Sequence, residues 1–559
     1  MSSTSTNIAA PGGALQPYTG PFGKKQLLHL LRRTLFGVSQ SDLKHFEGKS
    51  LNEVVDELLN ISSIAPPPPI RAYSGLNVSG IDPNVALGET WVGVPANTQP
   101  SPEPPRRQSY KQWWIGLMIN QERSLREKLV LFWHNHLVTD TNDVVGRSQL
   151  AYEYNILLRS SCIANFRKLM YDITLDKAML VYLNGQRNTV AAPDENYARE
   201  LLELFTCGKG PESTYTEDDV KAAAKILTGW RVNRTSGIVT FSPNQHDNTP
   251  KKFSAFFGNT SIAPGTGQVE LNALLDMIFA INEPSKFLCR KLFYFFLYYE
   301  LNPEVEANLI TPLAEIFRTS NTPGPVTING YDIKATLKAF FTSDYFFRDE
   351  FMGVMIKSPA DYNVGVARSF ELAFPTNTNA FEARYFFWNQ FLVSMVNAGQ
   401  AIGDPPNVAG WPAYYQIPQF HEIWVDTATY PVREQFYESL GVNGYMTNAR
   451  QIALNESKNQ KIKLDYVKFV KGLNNPSQPG DLINESIELL FGSDVSQTIK
   501  GKLKTDFLLK GQTSDYYWTD AYNAYIADPN TMDPEAKEVP KMLETFFQYL
   551  FTAAEFHLH

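Results

Sequence analysis

Apolar residues recur at spacings of three and four along nearly the whole chain, the repeat of an α-helix with one face on a core. Leu27, Leu28, Leu30, Leu31 and Leu35 make one such face, while Arg32 and Arg33 project elsewhere and Gly37 stands where a C-terminal cap belongs. Ser41-Asp42-Leu43 opens a short helix, and Ser50 caps another that runs through Leu59. The same spacing predicts helices over 110–140, 149–160, 163–183, 194–207, 217–230, 268–280, 284–299, 303–319, 331–342, 357–373 and 380–397. It predicts further helices over 432–439, 446–454, 461–471, 481–490, 495–510, 516–527 and 534–553. Ile238-Val239-Thr240-Phe241, preceded by Ser236-Gly237, reads as one arm of a hairpin between Arg231 and Phe257. The pattern therefore predicts a mainly α protein: a large multi-helical single body with long loops and at most a small β-hairpin.

The periodicity breaks once at length. Residues 64–108 carry Pro66 to Pro69 and the run Pro100 to Pro105 around Gly- and Asn-rich sequence, and a connection of that length is expected as an ordered strap or lid anchored by Tyr73 and Trp91. This break divides the chain into a flexible tail (1–20), N-terminal helices (21–63), the Pro-rich strap (64–108), a central helical core (109–420) and a C-terminal helical block packed on that core (421–559).

Composition narrows the classes. With 43% hydrophobic and 13% aromatic residues the 559-residue chain can bury a large core, and a formal charge of -8 supplies no basic face for nucleic acid. Cys162, Cys207 and Cys289 are odd in number and widely spaced, which reads as core packing rather than a disulfide or metal framework. Even Phe287 to Leu301 is broken by Arg290, Lys291 and Glu300, so no window is expected to span a membrane. Met1 to Gly20 has neither a basic nor an apolar leader region, and no signal peptide is read there.

Candidate chemistry gathers in three places. In the 194–207 helix Asp194 is placed as the N-cap, and uniform α spacing sets Asn196, Glu200 and Glu203 on one face, where two carboxylates share a cation or pair with Arg199 and Lys209. His134 and His136 point about 200° apart on a helix, so they reach one metal only if the helix unwinds near Asn135. His136 shares the stripe of Leu129, Phe132 and Trp133 and reads as a core histidine, whereas His134 lies on the face of Glu127. His246-Asp247 falls in a loop with Lys251 and Lys252, a setting that carries site residues on rigid scaffolds. Thr216 and Asp219 read as a capping box. Gly229-Trp230 and Gly410-Trp411 read as corners where glycine lets backbone approach beside an aromatic, and Trp411, Tyr414 and Tyr415 offer a stacking edge as the second reading. No GxSxG, GxxxxGK[ST], HExxH or CxxC motif occurs.

Ordered blocks along the chain carry a resemblance. They are Leu31-Arg32-Arg33-Thr34-Leu35-Phe36-Gly37, Phe132-Trp133-His134-Asn135-His136, Glu195 through Leu204, Tyr215-Thr216 with Asp219-Val220, Leu227-Thr228-Gly229-Trp230, and His246-Asp247 with Lys252-Phe253. After these come Phe287 through Leu292, Lys357-Ser358-Pro359, Gly399-Gln400, Pro405 through Trp411, and Ala554-Glu555-Phe556. In these the chain resembles the bacterial family catalogued as "domain of unknown function 1800". The resemblance implies a member of a mainly bacterial, commonly exported group often encoded beside a sulfatase-like protein, and it supplies no activity.

Two functions stand as expectations. The first is a binding or scaffold protein with a buried polar cluster, working with a sulfatase-like partner. The second is a metal-assisted hydrolase or lyase, in which Glu200, Glu203, His246 and Asp247 do the chemistry and His134, His136, Glu203 and His246 hold a divalent metal.

Overall fold

Helix after helix begins at a side chain that accepts the free amides of its first turn. Ser39 takes the amide of Asp42, Ser358 that of Asp361, Asp332 that of Ala335, and Thr216 and Asp219 form a reciprocal capping box. The computed structural model describes residues 13–74, 82–142, 145–233, 237–320 and 330–559.

The helices that frame the polar sites are α1 (Lys24–Thr34), α2 (Glu103–Ile119), α3 (Arg126–His136), α4 (Asn196–Glu200), α5 (Glu217–Ile226), α6 (Gly267–Ala280), α7 (Glu283–Phe296), α8 (Pro359–Ser369), α9 (Phe381–Asn397), α10 (Thr429–Tyr437), α11 (Pro479–Leu490) and α12 (Val539–Thr552). α9 lies along α2, α8 packs on both, and the helix Ser148–Ser161 covers α2 and α3. One contiguous buried apolar cluster runs from Leu27 of α1 to Phe556 near the end of the chain. The protein is mainly α.

Strands among the described residues form three antiparallel pairs. β1 (Trp230–Asn233) pairs with β2 (Ile238–Phe241) in the register Trp230 to Phe241, the expected hairpin, whose turn residues 234–236 lie outside the described residues. β3 (Lys251–Lys252) pairs with β4 (Ser261–Ile262), and β5 (Tyr445–Met446) with β6 (Lys461–Ile462), two residues to a strand.

Some expected helices change form. The 163–183 helix divides because Asp176 accepts the amides of Ala178 and Met179 and so starts a second helix, Lys177–Tyr182, directly after Phe166–Thr174. The expected 446–454 helix is absent: Met446 pairs with Lys461, and the Thr447 amide is bonded to the Gln460 carbonyl at 2.9 Å. The expected 461–471 helix starts only at Tyr466, where Asp465 caps Lys468.

In the Pro-rich stretch the described residues before Pro102 contain no helix, and residues 75–81 lie outside them. Trp91 is fully buried with its Nε1 donating to Ser109 at 3.2 Å, and Tyr73 donates to Asp82 at 2.7 Å. Arg106 of α2 forks onto the same Asp82 at 2.8 and 2.7 Å. Of the 1–20 tail, residues 1–12 lie outside the described residues, and the Tyr18 amide is bonded to the Thr342 carbonyl at 2.8 Å.

Candidate functional site

α4 does not continue as an α-helix. Asp194 accepts the Asn196 amide at 2.9 Å, but after Glu200 the coil widens to a π-helical turn over Leu201–Thr206, closed by Thr206 Oγ1 donating to the Leu201 carbonyl at 2.5 Å. Glu203, inside that turn, still meets Arg199 one turn back. Arg199 gathers the acids here, reaching Glu195 at 3.0 Å, Glu203 at 3.4 Å and Glu217 at 2.7 Å, and Lys209 reaches Glu203 at 3.3 Å. Glu200 is half-buried. Desolvation first, then repulsion from Glu203, raises its pKa against the pull of Arg199 and Lys209.

The two histidines of α3 face different neighbours. His134 stands edge-on to Trp114 with centroids 5.2 Å apart, and its Nε2 is buried with no partner among the described residues. His136 donates from Nε2 to the Phe205 carbonyl at 3.0 Å, on the π turn, beside Lys291 in a pocket with room for about one water. Burial holds both pKa values down at about 3, with Lys111 and Lys291 respectively adding to the effect. Glu127, on whose face sequence places His134, is instead taken by Arg159 at 2.5 and 2.9 Å.

His246 sits in a third setting. Its Nδ1 faces the Thr228 carbonyl at 3.0 Å, and its Nε2 lies 3.1 Å from Glu270, a fully buried carboxylate on α6. Lys251 holds the other Glu270 oxygen at 2.6 Å, and the Gly265 amide donates to Glu270 at 2.7 Å. Asp247 turns aside to accept the Thr249 amide at 2.8 Å; desolvation opposes its ionisation, but the Thr249 bonds and Lys251 prevail and its pKa is lowered. Gly229 makes the corner possible: with φ +93° its added Cβ would stand 2.9 Å from the Ser242 carbonyl oxygen.

Thus the residues read from sequence fall into separate clusters. Glu200 and Glu203 lie with Arg199, His246 and Asp247 with Glu270 and Lys251, and the α3 histidines among aromatics; among the described residues no three His, Cys, Asp or Glu side chains converge as a cation-holding set. Trp411 and Tyr414 are buried, so they form no surface stacking edge. Gly410-Trp411 is the predicted corner: at φ +91° a Cβ on Gly410 would collide with Asn135 Oδ1, which accepts the Trp411 amide at 2.8 Å.

Sequence reasoning missed the densest polar centre, a hub where distant blocks meet. Lys128 of α3 forms a buried ion pair with Asp361 of α8, which also accepts from Ser358 Oγ at 2.8 Å. Arg33 of α1 donates to the Phe296 carbonyl of α7 at 2.7 Å. Arg433 of α10 donates to the Lys357 carbonyl at 2.7 Å, and Lys357 in turn bonds the Phe556 carbonyl. Gln400 accepts the Ala360 amide at 2.8 Å. Rings shield the charges: Lys128 lies over Phe36, Lys357 over Phe556 and Arg433 over Tyr362, at 4.7, 4.2 and 5.1 Å. Burial pulls Arg33 and Arg433 down to about 10 and Lys357 to about 7, with Asp361 opposing for all three. A basic residue inside an apolar stripe, as Lys128 is in Arg126–His136, was the signal available.

A family model described as "Protein of unknown function (DUF1800)" matches residues 29–558. The chain belongs to that family. No curated protein and no solved structure matches it. The DUF1800 span takes in the hub from Arg33 to Phe556, the clusters around Arg199 and Glu270, and both α3 histidines. Among the described residues no helix is long and apolar enough to cross a membrane.

Proposed function

We propose that this chain is a non-catalytic helical scaffold or binding protein whose buried polar residues fix how its helices meet. The hub supports this reading: Arg33, Lys128, Asp361, Gln400 and Arg433 bond one another or the backbone of elements far away in sequence, and so tie α1 to α7, α3 to α8, and α10 to the segment that leads into α8. A buried ion pair adds little net stability over an apolar contact, but it penalises every arrangement in which a partner is missing, which is how it specifies registry. The partner we propose for this scaffold is a sulfatase-like protein, the class that the family resemblance implies.

Elemental analysis of protein purified without chelators tests the reading against a metal-assisted hydrolase or lyase. The scaffold carries no stoichiometric divalent metal, and Glu203→Gln leaves metal content unchanged. One equivalent of zinc, manganese or iron, lost in Glu203→Gln or His246→Gln, overturns it.

A further inference from the structure

α1 and α11 leave between them a cleft of about 360 Å³, within the range of small-ligand sites. Leu28 from α1, Met352, and Ile487 and Phe491 at the end of α11 make its apolar wall. Four of its charged groups already have partners. Lys25 is held by Asp349 at 2.6 Å, Glu488 by Lys24 at 2.6 Å, and Lys500 and Asp494 hold each other at 2.7 Å. His29, also on the cleft, is kept neutral by burial, and its Nε2 donates to the Phe346 carbonyl at 2.9 Å.

Arg32 is different. Its Nη2 donates to the Glu488 carbonyl, and among the described residues no carboxylate stands at ion-pair distance from it. Burial draws its pKa down to about 10 against the pull of the Glu488 charge, so at neutral pH it remains a cation. The Glu488 carboxylate that acts on it from beyond contact distance is engaged by Lys24, so the Arg32 fork meets no carboxylate directly, and a planar carboxylate is the group whose two oxygens match that fork. We propose that this cleft binds a small monocarboxylic acid with an apolar body, its carboxylate on Arg32 and its hydrocarbon against Leu28, Ile487 and Phe491. Both halves of the ligand follow from the lining: an amine of the same length would meet Arg32 with like charge, and a small polar anion would leave the apolar wall wet.

The cleft is separate from the residues on which the scaffold reading rests, so metal content decides that reading and ligand binding decides this one. The test uses the full chain labelled at its methionine methyl groups, with the Met352 signal assigned by Met352→Leu. Octanoate should move the Met352 resonance saturably at millimolar concentration or below, and octylamine should not. Arg32→Met should weaken octanoate about tenfold or more while Arg32→Lys keeps part of the affinity. Ile487→Trp, which fills the cleft and leaves Arg32 in place, should block binding. An unmoved Met352 signal, equal binding of octylamine, or full affinity in a folded Arg32→Met overturns the proposal. Should Arg32→Met fail to fold, the comparison of octanoate with octylamine on the unaltered chain decides alone.

Discussion

Glu270 stands in no motif, yet it balances two buried groups at once, His246 at 3.1 Å and Lys251 at 2.6 Å. His246 and Asp247 were legible because imidazole and carboxylate side by side in a polar loop attract notice. Glu270 was not, because one acid in the first turn of an amphipathic helix has an ordinary explanation in the helix dipole. Removing its charge leaves buried Lys251 with only Asp247, 3.7 Å away, as counter-charge, so Glu270→Gln should cost about 3 kcal/mol in urea unfolding. A loss under about 1 kcal/mol would show the cluster relaxing or hydrating freely. Glu203 contrasts with it. Its partners Arg199 and Lys209 are solvent-accessible, and screening limits what they contribute, so Glu203→Gln should shift stability by less than about 1 kcal/mol.

Elements were the most legible level. Apolar spacing located α6 and α9 to within a residue at each end and α7 to within three, because each presents one face to the core. It failed where pairing outside the local segment decides, as at Met446 and Lys461, or where one side chain starts a new helix, as at Asp176. The π turn over Leu201–Thr206 was invisible for a similar reason: a single inserted residue leaves the apolar pattern nearly intact while rotating the side chains beyond it. The corner at Gly410 was read correctly from Gly-Trp, and it gives a sharp expectation. Gly410→Ala sets a Cβ 2.5 Å from the Asn135 backbone carbonyl oxygen at a φ of +91°, and should destabilise by about 2 kcal/mol or more, measured as a lower urea midpoint. An unchanged midpoint would mean that α3 and the Gly410 corner yield at no cost.

Across the whole molecule the fold class was open to sequence but the hub was not, since its members come from segments more than 500 residues apart and only folding brings Arg33 and Phe556 to one centre. Buried histidines give the molecule a predictable pH response. Desolvation lowers His29, His134, His136 and His557 to about 3, so between pH 6.5 and 3 the unfolded chain takes up protons that the folded chain refuses. Stability from these groups is present above pH 6.5 and falls with acid, each contributing up to about 1.4 kcal/mol per pH unit. Asp176, raised by burial to about 7, works in the opposite sense. Urea midpoints should therefore drop from pH 7 to pH 5, and equal midpoints would count against buried neutral imidazoles. The central claim, that buried charges act as fasteners between helices, is tested most directly by a double-mutant cycle on Lys128 and Asp361 read by urea unfolding. Each of Lys128→Met and Asp361→Leu alone should cost about 3–5 kcal/mol, and the double variant should lose far less than the two together because neither charge is left without its partner. Single losses below about 1 kcal/mol, or strictly additive losses in the double variant, would contradict it.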